Sequence, residues 1–362
     1  MIKVTLIIIT HNRPNRLRRL LDYYQKNKED FRIIVSDSSS SKDKEKNKTV
    51  VSLFPNLDIT YLHHYSEDTE FRYQANDTLN YVKTKYCLIC PDDDFVVPNA
   101  IIESANFLER NLDFTIAQGK YLSFYLKVKG KQKKIYLAPA YSCQSITNPD
   151  SLKRLEEHLS NYSTITIFGV HRTEFMKMLF SEILTFTDDE RFAELLHSVI
   201  TIIHGKMKCL DLLYGVREII PSSSGITNET IPMFIKKGTY KRKYNKFKEC
   251  LVNHVIKETG VDVQQANNMI DESMAKYLHK YFFYGLNSFS ARIVGRSLNK
   301  ISKKWYKIVK KFLIERKIKK RAKYFNQQDS FSRSLLNPSL KYYKDFNRIY
   351  KFINLYIKKY DQ

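Results

Sequence analysis

The chain has 362 residues, 43% hydrophobic and 27% charged, with only nine prolines and ten glycines. This composition excludes a disordered chain and long flexible linkers, and allows one large domain with an appendage or two domains. No apolar run reaches the roughly 18–20 residues of a membrane span, and the net charge of +23 is concentrated: residues 236–362 hold 31 Lys and Arg against 9 Asp and Glu, while residues 1–235 nearly balance.

Val4–Thr10 (VTLIIIT) is a continuous apolar, β-branched run, the pattern of a buried parallel strand. It is too short for a signal h-region, lacks a small-residue cleavage site and enters the polar HNRPNR directly, which predicts a cytoplasmic protein. Leu17, Leu20, Leu21 and Tyr24 have helical spacing within Asn15–Lys26. Phe31–Ser36 reads as a second strand ending at Asp37, and SSSSKDKEKNK is polar enough to be a mobile loop. Ile59–His63 reads as a third strand, Phe71–Val82 as a helix, Tyr86–Cys90 as a fourth strand, and Pro98–Arg110 as a helix with proline at its start.

This alternation implies a parallel sheet with helices on both faces, in which ligands bind outside the carboxyl ends of the strands. Thr10–Arg13, Asp37–Ser40 and Asp92–Asp94 all lie just past strand ends, so three unrelated loops converge on one rim. From Phe114 to about Ile146 the chain is β-rich, with a hairpin at KVKGKQKK. One helix precedes Thr187, and another runs from Glu190 to His204 with Phe192, Leu195, Leu196, Val199 and Ile203 as its apolar stripe. Beyond about Ile235 the sequence reads as helical, giving expected domains of 1–235 and 236–362. Five cysteines, an odd number without a framework, fit a reducing compartment. Cys87 and Cys90 fall on opposite faces of a strand, which suits buried packing rather than chelation. His63, His64 and His204 read as structural, and His171 and Arg172, after an apolar run, as candidates to face an acceptor.

Asp92, Asp93 and Asp94 follow a hydrophobic strand and precede the apolar FVVP. Alone they would suit an acidic turn or a helix cap. Three carboxylates at a strand end also suit Mn2+ or Mg2+, hard cations that share their shell with phosphates. VTLIIITHNRP, IIVSDSSS, CLICPDDDFVVP and TDDERF, in that order and spacing over roughly residues 1–235, resemble the family 2-like bacterial glycosyltransferases of GT-A fold. The resemblance implies an α/β, Rossmann-like, mostly parallel sheet with helices on both faces, followed here by a C-terminal α-helical region. It implies inverting, metal-dependent transfer of a sugar from a nucleotide-sugar. Carried over, Thr10 and Arg13 would lie against the nucleotide and Asp37 would accept a hydrogen bond from the base, although the family commonly shows two acidic residues where SDSSS has one. Asp92 would face the ribose and first phosphate, with Asp94 on the metal and Asp93 or Asp92 serving either role. Arg72 and Asn76 stand where the family contacts the donor sugar. The general base would come from Asp189 or Asp188 at a helix start; Thr187 and Glu190 also form a capping box there.

In the basic third, Leu298, Ile301, Trp305, Ile308 and Phe312 make one helical face surrounded by lysines, and Tyr342, Phe346, Ile349, Ile353, Tyr356 and Tyr360 make another. Such helices suit an anionic membrane surface through residues 296–360, on the inner face of the cytoplasmic membrane where a lipid-linked acceptor would lie; they equally suit packing on one another or on the catalytic domain, leaving a basic face for an anionic glycan. Nucleic acid is disfavoured, because no RRM, KH or zinc pattern accompanies the basic residues. The alternatives to a glycosyltransferase of bacterial surface polysaccharide are a nucleotidyltransferase of related fold, which would normally show a Gly-rich phosphate loop after the first strand, and a non-catalytic basic protein that binds membrane or nucleic acid.

Overall fold

The apolar run Val4–Thr10 forms β1, buried near the middle of a sheet whose first four strands are parallel. The computed structural model describes residues 4–27, 31–129, 132–139, 143–162, 165–219, 229–286 and 342–360. Strand β2 (Arg32–Asp37) pairs with β1 and with β3 (Ile59–Leu62), and β4 (Tyr86–Pro91) pairs with the other edge of β1, all in parallel. The sheet is mixed beyond that point, as the expected mostly parallel sheet allows. Strand β8 (Val170–Arg172) runs antiparallel to β4 and to β6 (Phe114–Lys129), so β6 and its parallel neighbour β9 (Lys206–Glu218) regain the direction of β4. Strands β5 (Asp94–Val96) on β9 and β7 (Gln132–Pro139) on β6 complete nine strands among the described residues, with β6 and β7 forming the expected hairpin.

Alternation along each strand divides the core in two. Leu6 and Ile8 face one side with Cys90, against α1 (Pro14–Lys26), α2 (Ser41–Ser52) and α4 (Pro98–Arg110). Ile7, Ile34 and Cys87 face the other, against α3 (Phe71–Asn80), α5 (Ser151–Ser160), α6 (Thr173–Phe186) and α7 (Glu190–His204). Cys87 and Cys90 therefore do lie on opposite faces. Helices α8 (Ile231–Lys236), α9 (Tyr240–Thr259) and α10 (Val263–Leu286) continue the second core: Phe234 and Phe247 pack on Phe192.

Two expectations are corrected, and of the readings left open for the second basic stripe, packing on the catalytic domain is the one observed. The polar Ser-rich segment is helix α2 rather than a mobile loop, because Asn47 and Val50 turn inward and Asn47 bonds Asp37. Cys143 and Cys209 pair as a disulfide joining the segment after the hairpin to β9, so not every cysteine is a free thiol. The second basic stripe, on α11 (Tyr343–Tyr360), does not lie open for a membrane. Phe346, Ile349, Phe352, Ile353 and Tyr356 are buried in the first core; Phe352 meets Tyr23 and Phe95, and the Tyr356 hydroxyl donates to the Asn15 carbonyl at 3.0 Å. Packing beside Tyr23 and Phe95 takes the apolar area of that stripe out of water. Tyr342, at its start, is partly buried, and the side chain of Tyr360 and the first stripe, Leu298–Phe312, lie outside the described residues. No described helix is long and apolar enough to cross a membrane.

Candidate active site

Strand order brings the three expected loops together at the carboxyl ends of β1, β2 and β4. Thr10 pairs in register with Asp37. The Thr10 hydroxyl donates to Asp92 Oδ2 at 2.7 Å, and Arg13 Nη1 reaches Asp92 Oδ1 at 3.2 Å and Asp93 Oδ2 at 2.9 Å. Asn12 ties the remaining loops: its amide donates to Ser39 Oγ at 2.7 Å, its side-chain oxygen accepts from Ser40 N at 2.8 Å, and its side-chain nitrogen donates to Glu67 at 2.9 Å. It does so with a φ of 54°, a left-handed conformation that asparagine tolerates better than most residues. Asp37 is fully enclosed. One oxygen accepts from Ser39 N at 2.8 Å, and the other from Asn47 Nδ2 at 2.8 Å and the Tyr61 hydroxyl at 2.7 Å, so this carboxylate shapes the loop that lines the rim.

The compensation for three adjacent carboxylates comes largely from residues that sequence reasoning missed. Asp94 opens β5 opposite Arg217 of β9, and Arg217 Nε donates to Asp94 Oδ2 at 2.8 Å. Next along β9, Glu218 binds Arg19 at 2.7 Å and Arg16 at 3.3 Å, and Arg19 also donates to the Asp93 carbonyl at 3.2 Å. All three aspartates are nonetheless buried. Burial, with the Asp93 charge beside it, raises the Asp92 carboxyl to about 6 against the pull of Arg13 and Thr10. Burial raises Asp94 to about 8 despite Arg217. Asp94 Oδ1 is enclosed with no hydrogen-bond partner. Carboxylates short of positive charge, one with an unsatisfied buried oxygen, are a donor set that fits a hard divalent cation.

Asp189 caps α7, accepting from Arg191 N and Phe192 N, both at 2.9 Å, on Oδ1, and its Oδ2 lies 3.1 Å from Lys243 of α9. Asp188 is ion-paired with Arg242 and Lys243; burial pushes its carboxyl up, but those cations outweigh burial and hold it at about 2. Thr187 bonds back to the Ile183 carbonyl, so the cap is Asp189 rather than the Thr187 capping box. Arg72, at the start of α3, is buried, pairs with Glu70 at 2.7 Å, and keeps Nε and Nη1 without hydrogen-bond partners. It also attracts the Glu190 carboxylate, whose pKa burial raises, so the starts of α3 and α7 are neighbours. Asn76 is half-buried on α3.

His171 and Arg172 do not reach the rim, which corrects their acceptor-facing expectation. They pair with Cys87 and Tyr86 at the amino end of β4, the opposite end of the sheet. His171 is wholly buried, bonds the Thr166 carbonyl at 2.9 Å, and is held near 4 by burial. Arg172 donates to the Leu108 carbonyl at 2.7 Å and the Asn111 carbonyl at 3.2 Å, which closes the carboxyl end of α4.

Residues 5–179 match the family model of Glycosyl transferase family 2. They are a family 2 glycosyltransferase domain. The loops Thr10–Arg13, Asp37–Ser40 and Asp92–Asp94 of this glycosyltransferase domain all lie within the matched residues, whereas Arg217, Glu218 and Asp188–Asp189 lie beyond them. The GT-A fold agrees with a solved structure of S. aureus TarS 1-349 in complex with UDP-GlcNAc. That structure has a TM-score of 0.52 and 15% identity, with 81% of this chain and 76% of that chain covered. A second S. aureus TarS structure aligns with a TM-score of 0.49 and 13% identity over 78% of this chain, and only 44% of that chain's length is spanned. No curated protein matches the sequence.

Proposed function

We propose that the protein is an inverting, metal-dependent glycosyltransferase that moves a sugar from a nucleotide-sugar to a glycan or lipid-linked acceptor in bacterial surface polysaccharide synthesis. The observation that carries this reading is the joined rim, where Thr10, Arg13 and the buried Asp92–Asp94 meet the enclosed Asp37 loop. The nucleotide lies against Thr10–Arg13, with its base toward Asp37. Asp92 and Asp93 face the ribose and first phosphate, and Asp94 with Asp92 holds Mn2+ or Mg2+. Such a cation, when bound, neutralises the charge that grows on a diphosphate leaving group. The TarS 1-349 structure carries UDP-GlcNAc, which makes UDP-sugars the first donors to test.

Arg217 and Arg13 keep the aspartate carboxylates aimed, and Arg72 offers its unpartnered nitrogens to the donor, with Asn76 beside it on α3. Asp189, fixed by the α7 cap, takes the proton of the acceptor hydroxyl as that oxygen bonds the anomeric carbon. The bond from that carbon to the diphosphate breaks on the opposite face, the diphosphate leaves with the electron pair, and the configuration inverts. Asp188 is unsuited to the proton transfer because its ion pairs hold it near 2. The excess charge of residues 236–362 favours an anionic acceptor or an anionic membrane surface at the cytoplasmic face; α11 would contribute charges there and not its apolar stripe. The test is release of nucleoside diphosphate from a panel of nucleotide-sugars with Mn2+. The expected result is release from one donor class that stops with chelator and in Asp94→Asn. No metal-dependent release from any donor, by folded protein, contradicts the proposal.

A further inference from the structure

A second cluster of ligand-type side chains lies where α6, the end of α7 and α9 meet. Cys250 and His254 are four residues apart on α9 and so share one face, and Glu182 of α6 lies opposite them. One ligand atom from each lies within 4.8 Å of the others. Cys250 Sγ is 3.5 Å from Glu182 Oε2, and His254 Nε2 is 3.9 Å from Glu182 Oε1. Tetrahedral zinc with Zn–S of about 2.3 Å and Zn–N of about 2.0–2.1 Å sets its ligand atoms roughly 3.3–3.8 Å apart, so small rotamer shifts close this cluster onto an ion.

The hydrogen bonds behind the cluster point the same way. His254 Nδ1 is 2.7 Å from His204 Nε2, and His204 Nδ1 is 2.9 Å from Glu258 Oε1. With neutral rings only one proton arrangement satisfies this chain. His204 Nδ1–H donates to Glu258, so His204 Nε2 accepts from His254 Nδ1–H. The lone pair of His254 Nε2 is then left facing the Glu182 carboxylate, at a distance too long for a hydrogen bond. Two acceptors facing each other beside a thiol are repulsive unless a cation sits between them. A carboxylate–imidazole relay behind a ligand nitrogen is the usual support for a metal-bound histidine.

We propose that Glu182, Cys250 and His254 bind a divalent transition metal, zinc above all, through a carboxylate oxygen, a thiolate and Nε2. Water completes the fourth position. Binding displaces the Cys250 thiol proton to solvent, and the thiolate and Glu182 together neutralise the ion. Lys257 and Glu258 act on the His254 imidazole with opposite signs, and Lys257 also acts on His204. Thiolate and imidazole select a softer metal than the all-carboxylate rim does, and the ion staples α6 to α9 at a place remote from Asp92–Asp94.

The test is a Co2+ titration of the full chain after chelation, followed by absorption. The expected result is a thiolate-to-cobalt charge-transfer band that saturates at one equivalent and is displaced by Zn2+. It is lost in Cys250→Ser and unchanged in Asp94→Asn. His204→Leu, which touches no metal, weakens the affinity about 10–100-fold. Absence of the band, or an unchanged band in Cys250→Ser, overturns the proposal. Should Cys250→Ser not fold, Glu182→Gln carries the test: weaker cobalt binding supports the site and equal binding overturns it. Neither result depends on the sugar-transfer reading.

Discussion

Replacing Asp189 by asparagine separates catalysis from folding. The Asp189 Oδ1 that caps α7 accepts two backbone N–H groups at 2.9 Å, and the asparagine carbonyl can accept both. Asparagine and aspartate are near-equal caps, so the cap loses little; the 3.1 Å contact to Lys243 is lost, for a total of about 1 kcal/mol of stability. Removing a general base, in contrast, slows turnover about 100- to 10,000-fold, or roughly 3–5 kcal/mol of barrier. Denaturant unfolding, donor binding by calorimetry and sugar transfer measured on the same preparations give the three numbers. The expected pattern for Asp189→Asn is a folded protein that binds donor and does not transfer. Asp188→Asn, whose parent carboxylate is held at about 2 by its cations, keeps transfer within about tenfold of the parent. Full transfer by Asp189→Asn, or loss only in Asp188→Asn, refutes the assignment.

Three further outcomes follow from the same geometry. The Asp94 carboxyl, raised from 3.8 to about 8 by burial, holds its proton more tightly folded than unfolded. Metal-free stability therefore falls as pH rises from about 4 to about 8, and the stabilisation given by added Mn2+ grows over that range; thermal melts at stepped pH check both signs. Asn12→Ala loses the side-chain hydrogen bonds to Ser40, Glu67 and His11 and places a Cβ-bearing residue without a polar side chain at a φ of 54°. It should cost about 2 kcal/mol in denaturant unfolding and weaken donor binding. Phe352→Ala empties a site between Tyr23 and Phe95 and should cost about 3 kcal/mol in unfolding; a change below about 0.5 kcal/mol would mean that α11 does not dock there in solution.

Much of the rim was legible because its signals are local. A β-branched run marks β1, proline and a 3.6 period mark α4, and the α7 stripe needs only its own residues. Strand ends followed by polar loops then place Thr10, Asp37 and Asp92 without knowledge of the rest of the chain. What was not legible depends on distant partners. Arg217 lies more than a hundred residues after Asp94, and nothing around it marks it as that carboxylate's counter-ion. Strand β8 is three residues long, too short for a period, so His171 and Arg172 could not be assigned to the far end of the sheet. Helix α2 lacks an apolar stripe and is held by the buried Asn47 and Val50. The α11 stripe reads the same whether it meets lipid or a sheet face, and the vacant apolar surface beside α1 decided the outcome.

The proposed role of Asp92 and Asp94 is to hold a divalent cation against a nucleotide-sugar. The most direct measurement is calorimetric titration of UDP-sugars into the full chain with Mn2+, with chelator, and with Asp94→Asn. At least one donor is expected to bind with Mn2+, and to lose that binding with chelator and in the variant. Equal donor affinity under all three conditions would contradict it.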